Sequence, residues 1–186
     1  MELIETPIRD LVIVKNSVFA DSRGFFMESY NKRNFEGKGI RIDFCQDNMS
    51  KSSYGVVRGL HYQLNPHSQS KLVFVIVGKV YDVAVDMRKG SPTFGQWYGV
   101  ELSEENKLQF LIPQGFAHGF SVLSEVAVFS YKCDNFYHPA SERGILFNDP
   151  ALGIDWKIPK DKEMISNKDK LHPAFDKAEM NFEYKK

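Results

Sequence analysis

Two runs decide the reading of the chain: Arg58-Gly59-Leu60-His61-Tyr62-Gln63 and, further on, Ile112-Pro113-Gln114-Gly115-Phe116-Ala117-His118-Gly119-Phe120. Each sets one histidine in an aromatic-rich, strand-like segment. Strand side chains alternate between two faces, so His61 and Gln63 point the same way. Phe116, His118, Phe120 and Val122 share a face by the same rule, as do Gln46 and Asn48 in the otherwise apolar stretch 44–49. Arg58 stands three residues from His61, so a flat strand sends it to the opposite side. Only a bulge at Gly59 would bring the two together.

Working outward, short apolar runs between turn signals predict strands at 11–19, 24–30, 42–50, 56–63, 71–77, 79–87, 95–102, 108–112, 119–123 and 126–132. Tyr81, Val83, Val85 and Met87 alternate with Asp82, Ala84 and Asp86, the pattern of a half-buried strand. Residues 73–77 are apolar on both faces, as a central strand requires. Gly78-Lys79 reads as a tight hairpin turn. Helix signals are sparse: 32–37 after Asn31, and a single turn at 103–107 capped by Ser103. Past Pro150 the chain turns polar and lysine-rich, and is expected to lie as turns and a short helix over the strands. The fold class is all-β, a double-sheet jelly roll with short peripheral helices, in one domain spanning 1–186.

Charge excludes several partners. Lys plus Arg and Asp plus Glu number 24 each, with no block of one sign, so no field draws nucleic acid or an anionic membrane. No apolar run is long enough to span a bilayer, and Met1–Pro7 lacks a signal-peptide pattern. Two cysteines, Cys45 and Cys133, are too few for a disulfide framework and read as reduced thiols. The expected setting is cytoplasmic.

Glycine-rich phosphate loops, a nucleophile elbow and paired Cys-x-x-Cys are all missing. The two opening runs look like the halves of a cupin barrel whose metal ligands have been replaced. A cupin metal site needs His-x-His on one strand face. Here the strand reads His61-Tyr62-Gln63, and a carboxamide is a poor ligand for the metals that imidazole suits. No metal and no cofactor is expected. His67, His138 and His172 read as hydrogen-bonded structural residues. Lys71 opens an apolar strand just after the His61 loop, where a charge is rare unless paired. Tyr131 ends the apolar run 126–130 and by itself reads equally well as core or surface.

The chain also carries Asp21-Ser22-Arg23-Gly24-Phe25-Phe26-Met27-Glu28-Ser29-Tyr30, Gln46-Asp47-Asn48, Gly90-Ser91-Pro92-Thr93-Phe94-Gly95 and Asn148-Asp149-Pro150. With the two opening runs, this set resembles the dTDP-4-dehydrorhamnose 3,5-epimerase family from about residue 6 to residue 169. The resemblance implies a metal-free cupin-type double-stranded β-helix, a homodimer, and a dTDP-4-keto-6-deoxyhexose substrate in dTDP-L-rhamnose synthesis. It implies His61 as base, Asp169 as its carboxylate partner, Tyr131 as the proton donor, and Lys71 as the cation facing the developing enolate. It further implies anion contacts from Arg23 and Arg58, and thymidine contacts from Phe25, Glu28 and Tyr137. Gln46, Asn48, His118, Glu142 and Lys168 would supply other polar contacts. Arg23, Phe25 or Glu28 would act across the dimer interface.

Three positions depart from the family pattern: Phe74, Ser70 and Met27. They spare the acid–base set and are expected to bear on which sugar fits. Single-position epimerisation or 3,4-ketoisomerisation of a related nucleotide sugar would use the same site. A non-catalytic sugar-nucleotide-binding barrel and a metal-dependent cupin oxygenase are the readings from other classes.

Overall fold

The computed structural model describes residues 1–185. The first sheet runs β1 (Glu2–Glu5), β2 (Val12–Lys15), β10 (Leu108–Ile112), β7 (Lys71–Val77), β12 (Val126–Cys133) and β5 (Gln46–Ser53) in spatial order. The second runs β13 (Glu142–Gly144), β6 (Val56–Gln63), β11 (Phe116–Val122), β8 (Lys79–Asp86) and β9 (Trp97–Ser103). A short strand β14 (Met164–Ile165) adds to β6 in parallel, while the other pairings are antiparallel. The two sheets face one another as a jelly roll.

Alternation decides what lies between them. Val73 and Val75 of β7, Phe116, Phe120 and Val122 of β11, and Phe129 of β12 point inward and form one buried core. The opposite face of the second sheet carries Leu60, Tyr62, Val83 and Val85, and the C-terminal segment covers it with Phe147, Trp156 and Phe182. The first sheet's outer face is covered at Val14, Leu72 and Leu111 by Phe35 of α1 (Lys32–Gly37) and its neighbours. Asn31 caps that helix as expected, its side chain accepting from the N–H groups of Arg33 and Asn34. Ser103 Oγ likewise accepts the Asn106 N–H at the turn after β9.

Several boundaries shift. The predicted strand 11–19 divides into β2 and β3 (Val18–Asp21), because β3 leaves the sheet to pair only with β4 (Gly24–Met27) in a separate hairpin. Residues 42 and 44 are not strand; Ile42 and Phe44 pack on the helix cluster, and β5 begins at Gln46. β11 starts at Phe116, earlier than expected. The strands β1, β13 and β14 carry too few residues to show a period, and their pairing partners define them. Beyond Pro150 the cover is three 3-10 turns, at Lys160–Lys162, Asp169–Leu171 and Phe175–Lys177.

Two readings are corrected. Gly78-Lys79 is not a hairpin: β7 and β8 lie in different sheets, and the chain crosses between them there. Gly78 is needed for the crossing, since its φ is 79° and a Cβ would lie 2.0 Å from the Val126 carbonyl oxygen. β8 is also not half-buried. Tyr81, Val83 and Val85 face the C-terminal cover, and Asp82 and Asp86 are fully buried on the other side with Val80 and Ala84. Asp86 is held by Arg88, Ser91 and Thr93.

Candidate active site

The register between β6 and β11 pairs His61 with His118 and Arg58 with Phe120. Three steps along β6 therefore match two along β11, so β6 carries one extra residue at Gly59. That bulge turns Arg58 to the same face as His61. Gly59 alone suits the position: its φ is 121°, and a Cβ would meet Gly119 Cα at 2.6 Å and the His118 carbonyl oxygen at 2.7 Å.

Across the barrel, β7 and β12 pair Val73 with Tyr131, and both project inward beside Lys71. The result is a cavity of about 170 Å³ lined by Arg58, His61, Lys71, His118 and Tyr131, with Phe120 and Phe129 among its apolar wall. A second, wider hollow of about 670 Å³ shares Arg58 and His61 and adds Lys168 and Asp169. His61 comes from one sheet and Tyr131 from the other, so a flat ligand between them presents one face to each.

His61 Nε2 lies 2.7 Å from Asp169 Oδ1, and Asp169 Oδ2 accepts the Gly59 N–H at 3.4 Å. Burial alone would raise Asp169, but the hydrogen bond and charge of His61 overcome it and hold the carboxyl below its usual range. With Nε2 engaged by the carboxylate, Nδ1 is the nitrogen left to take a proton.

Behind it lies a second pair that sequence reasoning missed. Asp82 holds His118 Nε2 at 3.0 Å from both carboxylate oxygens. Burial pushes the His118 imidazole down and the Asp82 carboxyl up. Asp82 has a visible signal, since it alternates with apolar residues, but that alternation reads as a half-buried strand, whereas both faces of β8 are buried. Burial also pushes Lys71 down, against the pull of Cys133, Asp82 and Glu142. Its ammonium lies 5.8 Å from the Tyr131 ring centre. Tyr131 is raised, first by burial, so it remains a protonated phenol at neutral pH.

At the cavity mouth, Glu142 Oε2 accepts from Tyr137 Oη at 2.8 Å and from Lys168 Nζ at 2.6 Å. Gln46 Oε1 accepts the Tyr137 N–H, and Gln46 Nε2 donates to Asn48 Oδ1. Gln63 does not reach the cavity as a ligand. Its amide bonds to the His67 and Phe136 carbonyls and the His138 N–H. The donor set for a cupin metal is therefore not assembled on β6. His67 and His138 stack at 3.7 Å and share Ser141 Oγ, as structural histidines do. His172 differs from expectation: it sits beside Asp169, and its buried Nε2 has no hydrogen-bond partner among the described residues.

The family model described as dTDP-4-dehydrorhamnose 3,5-epimerase matches residues 5–177. The chain belongs to that family. The dTDP-4-dehydrorhamnose 3,5-epimerase of Shigella flexneri is 56% identical over 91% of this chain and 93% of its own length. The crystal structure of the family member from Elizabethkingia anophelis is 57% identical, with a TM-score of 0.90 over 95% of this chain and 97% of that one. A dTDP-6-deoxy-D-glucose-3,5-epimerase from Legionella pneumophila, solved in complex with dTDP-4-keto-L-rhamnose, is 48% identical. It superposes with a TM-score of 0.95 over 100% of this chain and 99% of that one.

Of the residues that family resemblance singles out, His61, Asp169, Lys71, Tyr131, Arg58 and His118 converge on one cavity system, with Glu142, Lys168, Tyr137, Gln46 and Asn48 forming the hydrogen-bonded cluster at its mouth. Arg23, Phe25 and Glu28 do not join them. Arg23 projects from the β3–β4 turn and pairs with Asp21, and Phe25 lies under Lys107 at 4.5 Å. Glu28 accepts from Asn31 and Asn34 at the start of α1. The departures Phe74 and Met27 line a separate hollow of about 210 Å³ beside Phe25, on the outer face of the first sheet. The backbone N–H of Ser70 bonds to Asp134. Neither Phe74 nor Met27 lines the His61 cavity of its own subunit.

Proposed function

We propose that this chain inverts C3 and C5 of dTDP-4-dehydro-6-deoxy-D-glucose, giving dTDP-4-dehydro-L-rhamnose for dTDP-L-rhamnose synthesis. The observation that carries the reading is the placement of His61, backed by Asp169, and Tyr131 on opposite walls of one cavity. A ketone at C4 acidifies the protons on C3 and C5, since losing either gives an enolate with its charge on oxygen. His61 Nδ1 takes the proton from one face of the ring. Asp169 keeps the imidazole in the required tautomer and stabilises the imidazolium. The Tyr131 hydroxyl returns a proton from the other face.

Positioned acid–base groups contribute about 10²–10⁴-fold. Lys71 supplies the remaining electrostatic help by facing the enolate oxygen from the cavity wall. His118, held by Asp82, gives that oxygen a fixed second contact. The reaction moves only protons, so electrons balance without a cofactor.

Arg58 and Lys168 suit the diphosphate, and Tyr137 and Glu142 suit the nucleoside end. Arg23, Phe25 and Glu28 complete the nucleotide site of a second subunit in this reading. The β3–β4 hairpin supports a homodimer: among the described residues it pairs with no other strand, and its Phe19, Phe25 and Phe26 are 59–69% exposed. Residues 1–186 act as one domain, and the free thiols of Cys45 and Cys133 fit a cytoplasmic setting.

The test is incubation with the dTDP-4-keto sugar and identification of the product by NMR. The L-lyxo configuration at both centres is the expected result. Inversion at one carbon alone would replace this reading with single-position epimerisation.

A further inference from the structure

Three donor atoms converge on one side of the cavity, and one of them has no part in the epimerisation. His61 Nε2 lies 2.7 Å from Asp169 Oδ1, and His172 Nε2 lies 3.5 Å from the same oxygen. Each of the three residues offers one donor atom within 4.8 Å of those of the other two. His172 reaches this point because Gly144 stands opposite His61 in the β13–β6 register and has no side chain; a Cβ there would sit 2.4 Å from His172 Nε2. The two imidazole rings meet edge-on at 5.6 Å. The His172 side chain is only 12% exposed, yet its Nε2 has no hydrogen-bond partner among the described residues. A buried polar atom left unpaired costs stability and calls for a reason.

We propose that His61 Nε2, Asp169 Oδ1 and His172 Nε2 form a binding site for a divalent transition metal, Zn²⁺ in particular, and that its occupation switches the epimerase off. Tetrahedral zinc holds nitrogen and oxygen ligands at about 2.0–2.2 Å, which sets them about 3.3 Å apart. The observed separations of 2.7 and 3.5 Å bracket that spacing. Two imidazoles and a carboxylate, with water from the cavity in the fourth position, match the ligand set of open zinc sites. Imidazole also selects against Mg²⁺ and Ca²⁺, which prefer all-oxygen shells. Of the two lysines that flank Asp169, Lys168 is paired with Glu142 at 2.6 Å and Lys170 is exposed to solvent.

The site differs from that of a metal-dependent cupin. Asp169 and His172 come from the 3-10 turn Asp169–Leu171 and the residue that ends it, not from the barrel strands. Inhibition follows from proton bookkeeping. The ion takes the Nε2 lone pair of His61, the ring proton moves to Nδ1, and no lone pair remains to accept the sugar's proton. Nothing is oxidised or reduced. The inhibitory half rests on the assignment of His61 as base; the binding half does not.

Equilibrium dialysis and titration with Zn²⁺ and Co²⁺ test this in a Cys45→Ser background, which removes the exposed thiol. One ion per chain is expected, with the visible absorption of tetrahedral Co²⁺ and a loss of turnover that a chelator reverses. His172→Gln and His172→Asn should each bind about tenfold or more weakly, while turning over substrate when no metal is added. Absence of a stoichiometric ion, or wild-type affinity in both variants, overturns the site. Stoichiometric binding that leaves turnover intact overturns the inhibition and the His61 base assignment, while product identification still stands as the separate test of the reaction.

Discussion

Asp169 contacts both His61, through Oδ1 at 2.7 Å, and the Gly59 backbone N–H, through Oδ2 at 3.4 Å. One carboxylate thus orients the base and braces the bulge that turns Arg58 toward it. Asp169→Asn keeps the shape but presents an amide that favours the wrong imidazole tautomer. Turnover should fall by about 10³–10⁴-fold with KM little changed, as for the same exchange in other His–Asp pairs. Steady-state kinetics with the dTDP-4-keto sugar check this, and an unchanged kcat would remove Asp169 from the account.

Tyr131→Phe should separate two half-reactions. His61 can still remove a proton and return a deuteron to the same face, so solvent label enters the sugar without inversion. Net epimerisation should drop by about 10²–10⁴-fold. NMR in heavy water reads both events together, and inversion at the wild-type rate would rule out the phenol as donor.

Lys71→Met removes the cation from the cavity while keeping much of its apolar stem. A loss of about 10²–10³-fold in kcat is expected, the scale of one missing oxyanion contact. The same variant should be no less stable to urea, because burial already pushes the Lys71 ammonium down. A clear fall in the unfolding midpoint would show the charge to be structural.

Gly59→Ala tests the bulge. The positive φ costs about 1–3 kcal/mol for a residue with a Cβ, and backbone atoms at 2.6 and 2.7 Å block relaxation. Urea unfolding should show at least that loss, and nucleotide affinity should weaken as Arg58 turns away. Wild-type stability would contradict the register described here.

His172 gives stability a pH dependence. Burial first, then the charges of His61 and Lys168, push its imidazole below the ordinary value of 6.5, while Asp169 and Glu142 pull the other way. A folded value below the unfolded one means the unfolded chain takes the proton first as pH falls. The contribution is therefore complete above about 6.5 and is lost progressively below it. His118 and Asp82 shift in opposite senses and oppose one another. Urea midpoints about one unit above and one unit below that value should differ less in His172→Gln than in wild type.

The barrel was legible because its strands are short, bounded by turn residues and alternately apolar. Strand 56–63, strand 71–77 and strand 108–112 match to the residue. Period two also placed Phe116, His118, Phe120 and Val122 on one face, and it raised the Gly59 bulge as the condition for joining Arg58 to His61. It failed where both faces of a strand are buried. On β8 the C-terminal cover buries Val83 and Val85, so Asp82 looked like the solvent side when it faces His118. Gly78 gave a turn signal that is the same for a hairpin and a crossover, and only pairing tells them apart. Asp169 lies 108 residues from His61, and nothing in local pattern joins them; the family resemblance supplied that link. The resemblance also named Arg23, Phe25 and Glu28, which one subunit leaves far from the cavity.

The most direct measurement follows hydrogen at C3 and C5 of the dTDP-4-keto sugar in heavy water, with wild type and His61→Ala side by side. The account predicts deuterium at both inverted carbons for wild type and loss of both label and inversion for the variant. Inverted product carrying no solvent deuterium, or a variant that turns over as fast as wild type, would contradict it.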